Sequence, residues 1–286
     1  MRIKFVEISN FRKLKATHLD FDRKTTILVG ANNSGKTSAM VALRIFLLAP
    51  NRLALRDVTI ANWTKIDLLG EQWETDAEST VDFDALLPSL DVWLDVPLGE
   101  IQHVVHILPT LDWSGGMLGV RLKYHAKDLE KLKAEYLTQW SAARDASTTS
   151  PNGEVTKIAV WPRNLTNFLE RRLRAHVELS AYPLDPTAVA LPGKTGLATP
   201  QKLPASALAL DHPPFKNLIK IDEIAAQRDF ADAGGNDGSE DKGEGTNRRF
   251  KRRLSDQLRS YYDRHLDPSK TPSDMDYEAL GAIQAA

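Results

Sequence analysis

The chain has 286 residues, enough to bury a core in one large domain or two smaller ones. Its 42% hydrophobic and 26% charged content is that of an ordinary globular chain, and a formal net charge of −1 excludes a globally basic surface, so any basic patch must be local. The absence of cysteine excludes disulfides, thiolate zinc sites and cysteine nucleophiles.

The opening "MRIKFVEISNF" has no apolar leader core, and no apolar run reaches the ~18 to 20 residues a membrane span needs. The expectation is a cytoplasmic protein with no membrane partner. "RIKFVEI" and "HLDFD" read as the first two strands. "TTILVG" reads as a short buried strand, and Met40, Leu43 and Leu47 then mark a helix over 38–48, stopped by Pro50. Residues 50–87 are poorly periodic and read as loops with short elements. "SLDVWLDV" alternates as a half-buried, antiparallel strand. Ile101, Val104, Val105, Leu108 and Leu111 follow at helical spacing. "GVRLKY" is a further strand after the Gly115–Gly116 turn, and Leu129, Leu132, Tyr136, Leu137 and Trp140 mark a helix. A strand "VTKIAVW", a helix "NLTNFLERRL" and a strand "HVELSAY" come next.

Residues 183–214 hold seven of the 15 prolines and read as an irregular excursion over the surface. "NLIKIDEI" returns to strand. Residues 231–247 carry five glycines and five acidic groups in 17 positions, the composition of a flexible linker. A basic segment with local charge +5 over 248–264 follows, its apolar stripe formed by Phe250, Leu254, Leu258 and Tyr261. It reads as a solvated helix packing through that stripe, or as a sequence-blind phosphate contact. The expected organisation is an α/β head over 1–230 with mixed and antiparallel strands, a linker over 231–247, and the start of a helical arm over 248–286.

The chemistry sits at Gly30-Ala31-Asn32-Asn33-Ser34-Gly35-Lys36-Thr37, which fits G-x-x-x-x-G-K-[ST] between a predicted strand and a predicted helix. The glycines admit close approach of backbone to phosphate oxygens, and successive N–H groups through Ser38 form an anion nest at the positive end of the helix. Lys36 is placed for the β- and γ-phosphates of ATP, and the Thr37 hydroxyl for Mg²⁺. Asn32 and Asn33 tolerate left-handed backbone angles. Gly193-Lys194-Thr195 is a decoy, because Ala188 stands where the first glycine belongs and prolines surround it. A GTPase reading of Thr64-Lys65-Ile66-Asp67 fails on order, since D-x-x-G (Asp67 to Gly70) follows it and only 28 positions separate Lys36 from Thr64. Asp222 and Glu223 are the candidate acidic pair for hydrolysis, and they read also as a solvent-facing strand end. Among the seven histidines, His103 and His106 are three apart but lack a nearby third ligand.

"IKFVEISNFRKL" followed by "TTILVGANNSGKTS" resembles the N-terminal lobe of ABC-type ATPase heads of the SMC/RecF superfamily, nearest to the OLD family of ATP-dependent nucleases. The match runs through Asn10-Phe11-Arg12 and the loop residue by residue. The resemblance implies ATP and Mg²⁺ as cofactors, Arg12 or Lys13 as a phosphate contact, and Gln227 as a metal-linking glutamine. It implies head-to-head dimerisation and DNA processing, with defence against phage as the pathway. The family's LSGG signature, following acidic strand and Toprim nuclease motifs are missing up to Ala286. The expectation is therefore an incomplete head, paired as a homodimer or finished by a completing polypeptide, or else an ATP-binding assembly module without hydrolysis.

Overall fold

The computed structural model describes residues 1–108, 113–148 (side chains to 144), 161–190, 197–204, 206–216, 218, 219 and 221. The chain divides into two units, Met1–Lys220 and Ile221–Ala286, and every element below belongs to the first.

Five strands form one sheet in the order β2-β1-β3-β4-β5, every neighbouring pair antiparallel: β1 (Arg2–Phe11), β2 (Leu14–Asp20), β3 (Ser89–Val96), β4 (Gly116–Ala126) and β5 (Val177–Leu184). The period of two decides the faces. Val6, Ile8, Leu90, Val92, Leu94, Leu118, Val120 and Leu122 point to one side and join the main core. Helices cover that side: α1 (Lys36–Leu48), α2 (Ile60–Glu74), α3 (Phe83–Leu86), α4 (Leu129–Thr148) and α5 (Leu165–His176). Asn164 caps α5 by accepting from the Asn167 N–H at 2.9 Å, and Asp67 of α2 accepts from the Thr166 N–H at 2.9 Å.

The opposite side of the sheet is covered by the proline-rich stretch. Leu203 and Val189 pack there on Phe5, Trp93 and Leu184, and Ala198 N–H donates to the Ala16 carbonyl at 3.3 Å, whereas Leu210, whose N–H donates to the Ala181 carbonyl of the edge strand β5 at 2.8 Å, packs against the main core. The predicted surface excursion thus runs across the second face. Consequently β3 is not half-buried as expected, because Asp91 and Trp93 are 2% exposed as well.

Three further expectations are corrected. Residues 25–29 form no strand; Leu28 packs against the core while Ile27 and Val29 are 76% and 88% exposed, and no backbone hydrogen bond joins this segment to another described residue. An apolar run needs a neighbour to become a buried strand, and the described residues supply none. Residues 50–87 contain the 15-residue helix α2, whose buried face is Ile66, Leu69 and Trp73. The helix expected over 101–111 is two short 3-10 turns, Leu98–His103 and Val105–Ile107. "VTKIAVW" up to Val160, and "NLIKIDEI" apart from Leu218, Ile219 and Ile221, lie outside the described residues, as do 231–247 and 248–286. Among the described residues no helix is long and apolar enough to cross a membrane.

Candidate functional site

Gly35 stands at φ +100°, a left-handed angle that glycine adopts without strain, and it ends the loop where α1 begins. Asn33 is also left-handed at φ 68°, the tolerance expected of asparagine. A Cβ at Gly35 would come within 2.9 Å of Leu14 Cδ2, so the loop lies directly against the first residue of β2. Helix α1 begins at Lys36 with no side-chain cap and no acidic residue in its first turn. Its leading N–H groups and positive dipole end are therefore left to an external anion.

Lys36 Nζ donates to the carbonyl oxygens of Gly30 at 2.6 Å and Ala31 at 2.7 Å, and to Ser34 Oγ at 3.3 Å. The ammonium is thus folded back over the loop it belongs to. A Cβ at Gly30 would sit 2.9 Å from Ser34 Oγ and 3.9 Å from Lys36 Nζ, so a side chain there would crowd this cradle. Thr37 is exposed and Ser38 half-buried at the helix start. The glycines, the uncapped helix end and an ammonium within the cradle fit a polyphosphate. The buried stripe of α1 is Ala39, Ala42, Ile45 and Phe46; of the expected Met40-Leu43-Leu47 line, Leu43 and Leu47 pack against the core partly buried, while Met40 is 58% exposed.

Arg12 lies in the β1–β2 turn; it and Asn10, near the end of β1, both have positive φ (50° and 55°). Its Nε and Nη2 reach Asp57 Oδ1 at 2.9 and 2.8 Å. Asp57 carries no motif signal in the sequence, and the 45 residues between the partners hid the pair. Asp222, Glu223 and Gln227 lie outside the described residues, as does the Gly193–Thr195 decoy. Thr64 to Asp67 are mid-helix in α2, with Asp67 engaged by Asn164 and Thr166. His103 ends a 3-10 turn, and His106 Nε2 lies 2.9 Å from the Pro214 carbonyl oxygen. Among the described residues no three His, Cys, Asp or Glu side chains form a metal-sized group.

On the far face of the sheet a row of polar side chains runs across four strands in register: His18, Glu7, Asp91 and Arg121. Arg121 donates to both Asp91 oxygens at 2.6 Å and to the Gln201 carbonyl at 2.7 Å. His18 Nδ1 lies 3.2 Å from Glu7 Oε1. Burial pushes the Glu7 carboxyl above its ordinary range, with the His18 hydrogen bond pulling back and the Asp91 charge adding to the rise. Asp91 is raised for the same first reason, with Arg121 opposing it. This row braces the sheet and the proline-rich cover, and it lies on the face opposite α1.

Residues 1–178 match the family model described as AAA ATPase domain. The chain belongs to that family. Among curated proteins, it is 24% identical over 147 residues to the DNA replication and repair protein RecF of Oenococcus oeni (strain ATCC BAA-331 / PSU-1), covering 48% of this chain and 39% of that one. The RecF of Lactococcus lactis subsp. lactis (strain IL1403) is 26% identical over 107 residues, or 37% of this chain and 28% of that one. The chain thus spans about two-fifths of the first RecF's length or less. A solved chain from a study of ATP-driven dimerization and DNA-stimulated activation of SMC ATPases aligns at 17% identity, covering 61% of this chain and 98% of that one; its TM-score of 0.26 is too low to bear on the fold. The AAA ATPase domain and the RecF relatives match the SMC/RecF side of the expected resemblance.

Proposed function

We propose that this chain is the nucleotide-binding lobe of a RecF-like ATPase that binds MgATP at Gly30 to Ser38 and serves DNA processing as part of a larger assembly. The observation that carries the reading is the Lys36 ammonium, held 2.6–2.7 Å from the loop carbonyls of Gly30 and Ala31 beside an uncapped helix start. Lys36 exchanges those carbonyls for β- and γ-phosphate oxygens, and the N–H groups from Ala31 to Ser38 close on the remaining oxygens. The Thr37 hydroxyl would be a ligand for Mg²⁺, which would supply charge neutralisation at the phosphates. Arg12 contacts a phosphate from the β1–β2 turn.

The lobe is completed by another polypeptide, either a second head of the same kind or a separate chain. Supporting this is the exposure of Ile27, Val29 and Met40 (76%, 88% and 58%) beside the loop, with the backbone of 25–29 unpaired among the described residues. DNA as the substrate rests on the RecF relatives, which are replication and repair proteins.

A displacement assay with a fluorescent ATP analogue, followed by steady-state phosphate release, tests this. The purified chain should release the analogue to ATP and not to GTP, and should not turn over by itself. Equal displacement by GTP would remove the ATPase assignment, and sustained turnover by the chain alone would remove the need for a completing polypeptide.

A further inference from the structure

We infer that Asp57 is a positioning residue for the nucleotide site, holding the Arg12 guanidinium so that its remaining edge faces phosphate bound in the Gly30–Ser38 loop. The inference rests on the reading of Arg12 as a phosphate contact and assigns the residue that aims it.

Asp57 is 2% exposed and sits at the end of the 3-10 turn Leu55–Asp57. Its Oδ2 accepts from the Ala54 N–H at 3.1 Å, which fixes the carboxylate within its own turn. Its Oδ1 takes both Nε and Nη2 of Arg12, and its backbone carbonyl accepts from the Arg12 N–H at 2.8 Å. The hairpin tip is held at two further points: Thr59 N–H donates to the Asn10 carbonyl at 3.0 Å, and Phe11 forms a β-bridge with Val58. Arg12 is therefore gripped by main chain and side chain together. Its Nη1 has no hydrogen bond to a described residue, and its side chain is 30% exposed.

Two contacts tie this arrangement to the phosphate loop rather than to the sheet alone. The Arg12 guanidinium lies 5.5 Å over the Phe11 ring, and that ring packs at 6.4 Å against Phe46 of α1, the helix that carries Lys36 and Thr37. Two residues after Arg12, Leu14 lies against Gly35. A guanidinium left to itself rotates through many rotamers; one anchored on its Nε–Nη2 edge by a buried carboxylate presents the other edge at little further entropic cost. The pair has no net charge, so Asp57 acts through geometry and does not add attraction for the anion.

The test is a double-mutant cycle on affinity for a fluorescent ATP analogue with Mg²⁺, using Arg12→Gln, Asp57→Ala and the double variant, with melting temperature measured on each. Arg12→Gln should weaken binding about tenfold, the worth of one hydrogen bond to a charged group. Asp57→Ala should weaken it severalfold in the native background and not at all in the Arg12→Gln background. Asp57→Asn keeps the Oδ1 acceptor and should recover part of the loss; it carries the same cycle if Asp57→Ala melts below the assay temperature. Equal losses from Asp57 substitution in both backgrounds, or an affinity gain on removing Asp57, would overturn the inference. If Arg12→Gln leaves affinity unchanged while Lys36→Ala abolishes it, the Arg12 reading fails and takes this inference with it, but the loop stands. If Lys36→Ala also leaves affinity unchanged, the nucleotide site itself is misplaced.

Discussion

Replacing Arg121 by methionine isolates the buried Arg121–Asp91 ion pair on the far face of the sheet. The substitution keeps the side-chain stem and deletes the guanidinium that donates to both Asp91 oxygens at 2.6 Å and to the Gln201 carbonyl. Asp91, 2% exposed, is left as an uncompensated buried carboxylate, with Glu7 as its neighbour across the register. Breaking a buried pair from one side costs about 3–5 kcal/mol. For a folding unit the size of Met1–Lys220, each kcal/mol moves Tm by about 2–4 °C, so the drop should be about 6–20 °C. Exchanging both partners, as Asp91→Leu with Arg121→Met, removes the stranded charge and should recover much of that loss. Urea unfolding followed by far-UV circular dichroism gives both numbers. A single-variant loss below about 1 kcal/mol would mean the pair is solvated and the proline-rich cover is not where the structure has it. Strict additivity in the double variant would mean the two residues do not act as a pair.

Other perturbations probe the same account. Gly119→Ala should destabilise by about 1–3 kcal/mol in urea, because the new Cβ would lie 2.6–2.7 Å from three ring carbons of the buried Trp93; a neutral result would contradict the β3–β4 register. Glu7→Gln should raise Tm at neutral pH and lose that gain near pH 4. The folded pKa of Glu7 lies above the ordinary 4.5, so its contribution is full below 4.5 and is lost as pH rises through the folded pKa, where the buried charge must form. A gain that persisted at pH 4 would argue against that sign. Ile27→Thr and Val29→Thr should each change stability by less than about 0.5 kcal/mol, since both side chains are exposed; a loss near that of a core residue would restore the buried strand expected from the sequence.

The parts of the fold legible in the sequence are those where one residue decides its own environment. β3, β4 and β5 follow from strict alternation, and α5 from an asparagine cap ahead of Leu165, Leu169 and Leu173. The loop was legible because its glycines and lysine have one physical use in that order. What failed depended on partners. "TTILV" is apolar enough for a buried strand, but burial needs a neighbouring strand that lies nowhere among the described residues. α2 was hidden because its buried stripe of Ile66, Leu69 and Trp73 is short and opens on a polar residue: Asn62, one turn before Ile66, is itself buried and donates to the Leu86 carbonyl. Asp91 and Trp93 looked half-solvated because alternation shows two faces without saying that a proline-rich segment a hundred residues later covers the second. The Arg12–Asp57 pair has no local signature, since each residue reads as an ordinary surface charge until the hairpin tip meets the 3-10 turn.

The central claim is that the Gly30–Ser38 loop binds MgATP through Lys36. Isothermal titration of MgATP into the purified chain and into its Lys36→Ala variant tests it most directly, with melting curves on both. Among the described residues Lys36 is hydrogen-bonded only to its own loop, so the variant should melt with the native chain. The account predicts saturable binding to the native chain and none to the variant. Equal affinity in the two would contradict it.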